Sequence, residues 1–345
     1  LPVEEDKATC PKQKVKPMKH ISILIPRGNF SLVNVDGTHQ ILSQVNKFSC
    51  EKGLPPFFNI QLVGLEGSGP PSGPISVSPE ITIDKVQKTD LIFVPAIFGD
   101  PLEIAALNRD FIPWILQQYK SGAEVATYCV GAFFMAQTGL LNGKQCATHW
   151  AEAANFRAMF PQIDLVDDMI MTAEDGVYTS GGAYSYLNLL LYLIEKYTGR
   201  EMAILISKTF MIDIDKHSQS PFIIFEGQKT HEDEPVKKAQ EYIEENYMEK
   251  ITVDEIAEKF ALGRRSLERR FKKATSNTVS EYIQRVKIEA AKKGLETGML
   301  NVNQVMYDVG YSDTKAFRHT FKKITGLTPV EYRNRYNREM QASVA

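Results

Sequence analysis

The chain has 345 residues, 43% of them apolar and 24% charged, which is the composition of a soluble globular protein with room for two domains. No apolar run reaches the roughly eighteen residues that a spanning helix needs. Four cysteines (10, 50, 129 and 146) show no CxxC spacing and six histidines no HExxH spacing, so neither a metal site nor a disulfide framework is implied, and no cofactor.

The net charge of −2 is unevenly placed. From Phe260 onward 17 Lys and Arg stand against 8 Asp and Glu, so this end carries +9 and the remainder −11. A basic segment of this kind predicts a polyanion partner.

In chain order, residues 1–18 are polar and rich in Lys and Pro, and read as a disordered segment. They lack the apolar core of a signal peptide, and an initiator Met, which fits a trimmed start. His20–Pro26 is a short buried strand, 32–48 an amphipathic helix, 59–65 a second strand, and Glu66–Pro79 a loop dense in Pro and Gly. Thr89–Pro95 is a third buried strand, followed by a loop from Ala96 to Pro101 and a helix over 110–121. Glu124–Tyr128 is a strand that runs through Cys129-Val130-Gly131-Ala132 into a helix over 133–138. A nucleophilic residue at such a strand–turn–helix junction is the nucleophile-elbow pattern. Further strands are read at 146–150, 169–172 and 177–180. Ser180-Gly181-Gly182 then opens a long apolar helix over 183–197. Strands alternating with helices predict a parallel sheet covered on both faces.

A polar stretch, 227–235, reads as a linker, so the α/β domain is expected over 19–226 and a helical domain over 236–338. The helical domain repeats itself. Phe271-Lys272-Lys273 through Glu281-Tyr282 recurs as Phe321-Lys322-Lys323 through Glu331-Tyr332, at a constant offset of 50. Thr252/Glu255, Thr278/Glu281 and Thr328/Glu331 are capping boxes, and Pro329 stands at a first helical position. Leu267 and Phe271, like Phe317 and Phe321, are four apart and share a buried face. The other faces carry Arg264, Arg265, Glu268, Arg269 and Lys272 in the first copy, and Thr314, Lys315, Arg318, His319 and Lys322 in the second. Each such helix follows a shorter one after a tight turn, which predicts two helix-turn-helix units.

This half resembles the DNA-binding domain of the AraC/XylS regulators. The second copy carries the likeness, from Val309-Gly310-Tyr311-Ser312-Asp313 to Thr328-Pro329 and Tyr332-Arg333. In the first copy Ser276 and Val279 replace the usual Gly and Pro. The first half resembles the PfpI-type domains of the glutamine-amidotransferase-like superfamily, through Tyr128-Cys129-Val130-Gly131, Ala147-Thr148-His149-Trp150 and Thr179-Ser180-Gly181-Gly182. Together the two are similar to GlxA-like regulators. The resemblance implies a cytoplasmic, homodimeric regulator of double-stranded DNA that answers a small-molecule effector through its first domain.

The elbow leaves alternatives open. A thiol at a helix N-terminus should be acidic, and His149 is the candidate base. The resemblance places the family's usual acid at Asn34 and replaces its Gly-Gly after the third strand by Ala96-Ile97, with Gly99 left to supply a flexible loop. Cys129 is then a small residue fitted to a tight turn, a pocket residue beside Asn34, Gly99, Val130, His149 and Ser180, or the nucleophile of an amidase, glyoxalase or hydratase. The last would make the chain an enzyme; the duplicated basic helices favour the regulator.

Overall fold

The computed structural model describes residues 17–66, 77–214, 216, 218–229, 231–297 and 300–337. The segment expected to be disordered, apart from residues 17 and 18, and most of the Pro- and Gly-rich loop lie outside these. The chain divides into two compact units, Leu1–His217 and Ser218–Ala345.

The first unit is built on a seven-stranded sheet. Its elements begin with β1 (Lys19–Ile25), β2 (Asn29–Phe30), α1 (Leu32–Glu51), β3 (Phe58–Gly64), β4 (Ile81–Thr82), β5 (Leu91–Val94) and β6 (Ile97–Phe98). There follow α2 (Pro101–Leu107), α3 (Phe111–Lys120), β7 (Glu124–Tyr128), α4 (Gly131–Gln137), β8 (Gln145–Cys146), α5 (Ala153–Met159) and β9 (Asp164–Leu165). The unit closes with β10 (Met171–Glu174), β11 (Val177–Ser180), α6 (Tyr186–Thr198) and α7 (Arg200–Phe210). The sheet order is β10-β11-β7-β5-β1-β3-β4, and only β10 runs antiparallel to its neighbour.

Strand periodicity divides the core into two layers. Ile21, Ile23, Leu91, Phe93, Ala126 and Tyr128 face α1, α6 and α7, whereas Leu24, Ile92, Val94 and Val125 face α3, α4 and α5. All four residues of β5 are buried, as a central strand covered on both faces requires. The strand expected over 146–150 is only two residues long. At His149 the chain turns into a short 3₁₀ helix, whose start the His149 side chain caps.

The second unit is helical: α8 (Glu234–Glu245), α9 (Val253–Lys259), α10 (Arg264–Thr275), α11 (Val279–Thr297), α12 (Val302–Asp308), α13 (Thr314–Thr325) and α14 (Pro329–Tyr336). All three expected capping boxes form, each with both bonds, and Asn301 with Gln304 makes a fourth. Leu267, Phe271, Phe317 and Phe321 are fully buried. Residues 218–226, assigned from sequence to the α/β domain, pack on the helical unit instead. Ile223 and Phe225 are held there by Lys292 and Glu289 on α11, and Phe225 lies edge-on to Tyr282. The sequence boundary followed the polar composition of 227–235, whereas the contacts follow the apolar residues that precede it. No helix among the described residues is long and apolar enough to cross a membrane.

Candidate functional site

The turn after β7 has elbow geometry. Cys129 adopts φ 54°, a left-handed conformation that costs a non-glycine residue of order 1 kcal/mol. Gly131 is obligatory behind it, because a Cβ would sit 2.4 Å from Pro95 O and 2.7 Å from Thr127 Oγ1. The Cys129 backbone donates to Ser180 O at 3.0 Å and accepts from the Thr148 hydroxyl at 3.0 Å, which ties β7, β11 and the 148–150 turn together.

The expected acidic thiol is not found. Burial pushes the Cys129 thiol up to about 11, against the smaller opposing effect of the Val130 backbone N–H. The sequence argument weighed the helix end, but the residue is 5% exposed, and desolvation of a thiolate dominates there. His149 is equally unsuited to serve as base. Its Nδ1 accepts from Ala151 N at 3.2 Å, its ring lies beside Trp150, and burial lowers its pKa. No hydrogen bond joins His149 to the thiol among the described residues.

Asn34 completes this picture. It is buried at the start of α1, after the Ser31 cap, and its Oδ1 accepts from Ala96 N at 3.1 Å. That N–H, at the end of β5, is where an oxyanion donor would be sought, and it is already occupied by an amide of the same chain. Ser180 Oγ is buried without a hydrogen-bond partner among the described residues, as is Thr127 Oγ1.

Beside the elbow is a cavity of about 140 Å³ lined by Ile97, Gly99, Ile104, Val130, Phe133 and Glu152, among others. Two sequence candidates, Gly99 and Val130, line it, whereas Asn34, Cys129, His149 and Ser180 lie outside the lining. Ile104, Phe133 and Glu152 were not singled out from sequence, because their approach depends on how α2, α4 and α5 pack. An apolar wall with one carboxylate can bind and orient a small molecule, but it offers no activated nucleophile.

In the helical unit α10 and α13 expose the ten residues proposed to face nucleic acid. They are not equivalent. Arg264 is held by Asp254 at 2.8 Å and Glu268 at 3.3 Å, and the Lys272 ammonium donates to Ser276 O at 2.7 Å at the end of its own helix. Arg265 and Arg269, one turn apart, have no ion pair among the described residues; nor do Lys315, Arg318, His319 and Lys322 on α13. Thr314 is the exposed first residue of α13, after the Asp313 cap.

Residues 256–335 match the family model described as a helix-turn-helix domain, and residues 60–196 that of the DJ-1/PfpI family. The chain joins a DJ-1/PfpI domain to an AraC-type helix-turn-helix domain. The HTH-type transcriptional regulator GbdR of Pseudomonas aeruginosa is 24% identical over 316 residues, which cover 88% of this chain and 82% of the relative. The HTH-type transcriptional regulator ArgR of the same species is 28% identical over 219 residues, 63% of this chain and 66% of the relative. A solved structure described as a putative transcriptional regulator from Vibrio parahaemolyticus aligns with a TM-score of 0.50 and 25% identity, over 56% of this chain and 100% of that one. The likenesses favour the regulator over the enzyme.

Proposed function

We propose that the protein is a sequence-specific transcriptional regulator of double-stranded DNA. Its DJ-1/PfpI domain would bind a small metabolite in the cavity beside Val130 without converting it, and would form a homodimer. The observation that carries this reading is the pair of helices α10 and α13, each anchored by two buried apolar residues and each exposing cations that have no ion pair among the described residues. Phosphate contacts from such cations supply affinity and base-edge contacts supply choice. Two helix-turn-helix units in one chain engage major-groove segments about 34 Å apart on one face of DNA. The protonated thiol, the occupied Ala96 N–H and the engaged His149 imidazole speak for a domain that senses rather than catalyses. A DNA binder of this kind works in the cytoplasm.

Site selection from random duplex DNA with the full-length protein tests the reading. Enrichment of a bipartite sequence with centres one helical turn apart is expected, and a pool that stays random overturns it. Sedimentation of the full-length protein at micromolar concentration is expected to give a dimer; a monomer throughout removes that part.

A further inference from the structure

The two helix-turn-helix units have separate hydrophobic cores. The first gathers Val236, Ile243, Ile256, Leu267 and Phe271, the second Val302, Val305, Met306, Phe317 and Phe321. Helix α11 feeds both, giving Val279, Tyr282 and Ile283 to the first and Ile288, Ala291 and Leu295 to the second. Between these sets on the helix lies Lys287. Its residue is 7% exposed, yet it carries an ammonium.

That ammonium bridges the two units. It donates to Glu249 O at 3.0 Å, in the turn between α8 and α9, and to Val309 O at 3.0 Å, at the end of α12, with Gly310 O at 3.5 Å. An ammonium has three donors and no acceptor, and here all of them point at main-chain carbonyls. No carboxylate is among its described partners, and burial alone depresses its pKa. The backbones approach closely at the same place. Gly310 has φ +73°, and a Cβ there would lie 2.1 Å from Met248 O and 2.7 Å from Lys287 Nζ. The next residue, Tyr311, packs its ring tilted by 60° against Phe317 of α13, with centroids 5.4 Å apart, which carries the contact into the second recognition helix. Alongside is an open groove of about 390 Å³, lined by Arg264, Gln284 and Lys287 among others, so the units are not welded here by continuous packing.

We infer that Lys287 is a positioning residue that fixes the separation of the two recognition helices, and with it the base-pair spacing the protein accepts between the halves of its DNA site. The inference rests on the DNA-binding reading. One inserted base pair moves a half-site about 3.4 Å along the duplex and turns it by about a tenth of the 10–10.5 base-pair turn, which a rigid pair of helices cannot follow.

The experiment measures binding of the full-length protein to its selected site and to the same site with one base pair inserted or deleted between the halves. The wild type is expected to lose at least tenfold in affinity on either change. Lys287→Met keeps the length and apolar stem, and both cores and the 218–228 segment still hold the unit folded. It is expected to lose less than about threefold relative to its own best site. Lys287→Gln, with a neutral donor, serves if methionine does not fold there, and is expected to fall between the two. A spacing profile identical to that of the wild type, with only a uniform loss of affinity, overturns the inference. Failure of the wild type to select any site overturns the DNA-binding reading, and this inference with it.

Discussion

Cys129 shows how far a residue's chemistry depends on what surrounds it. Its place at the elbow is legible in Tyr128-Cys129-Val130-Gly131, because only glycine fits against Pro95 O. Its ionisation is not, because that depends on the sum of packing from β7, β11 and the 148–155 segment. With the thiol pushed up to about 11, its ionised fraction at pH 8 is about two orders of magnitude below that of a free thiol near 8.5. Iodoacetamide should therefore modify Cys129 in the native protein at least about a hundredfold more slowly than exposed Cys50, and the gap should close on unfolding. Equal native rates by peptide mass mapping would contradict the structure. Asn34 gives a second test. Asn34→Ala strands the Ala96 N–H in the core, which should cost about 1–3 kcal/mol in urea unfolding. Neither the amide's partner nor the engagement of the His149 Nδ1 could be read from sequence, since each bond depends on where the chain turns.

Elements bounded by local chemistry were the most legible. Thr252, Thr278 and Thr328 mark helix starts because each threonine caps a backbone N–H and each glutamate returns the bond, all within four residues. The two copies differ at their helix ends. Ser276 and Gly326 both terminate a recognition helix in the left-handed region, at φ 58° and 74°. Only the glycine does so without a steric penalty. Ser276→Gly should therefore stabilise the helical unit by about 0.5–1 kcal/mol, measured from the urea midpoint; a loss of stability would show that the serine makes a contact outweighing the strain. Elements set by long-range contacts were less legible. Helix α8 is preceded by its N-cap Asp233, whose carboxylate accepts from Val236 N and receives a two-point bond from Arg270, 37 residues away. The Arg270 bond holds the Asp233 carboxyl below its ordinary range. A depressed folded pKa means that this stabilisation is complete above the unfolded value of about 3.9 and is lost as pH falls through the folded one. Asp233→Ala should cost about 0.5–2 kcal/mol at pH 7 through the lost cap, with the difference from wild type shrinking below about pH 4. A difference that persists to pH 2 would assign the effect to packing.

At the scale of the whole molecule the net charge of −2 conceals a terminal segment of +9, and the field that DNA meets is the local one. Affinity should fall with salt by about 0.9 log units per log unit for each phosphate contacted, and a flat response between about 50 and 200 mM would exclude the proposed interface. The two recognition helices align in sequence at an offset of 50, so Arg265 and Arg269, which have no ion pair among the described residues, correspond to Lys315 and His319, while Arg318 corresponds to Glu268, which Arg264 holds. Opposite charges at one equivalent position cannot read the same base edge: arginine seeks the acceptors of guanine, glutamate the donor of cytosine. The site for one chain should accordingly be two unlike halves rather than a repeat. Arg269→Ala is expected to relax one or two base pairs in one half, and Arg318→Ala one or two in the other, each at a cost of about 1–3 kcal/mol in discrimination. Lys322 lies one turn beyond Arg318, toward the end of its helix, where phosphate is the nearer partner. Lys322→Ala should weaken all sequences alike and lower the salt slope by about one. Site selection repeated on the three variants separates these roles. If both arginine variants keep the wild-type sequence preference and lose only affinity, the arginines hold phosphates, and the reading face of each helix lies on Arg265 and Lys315.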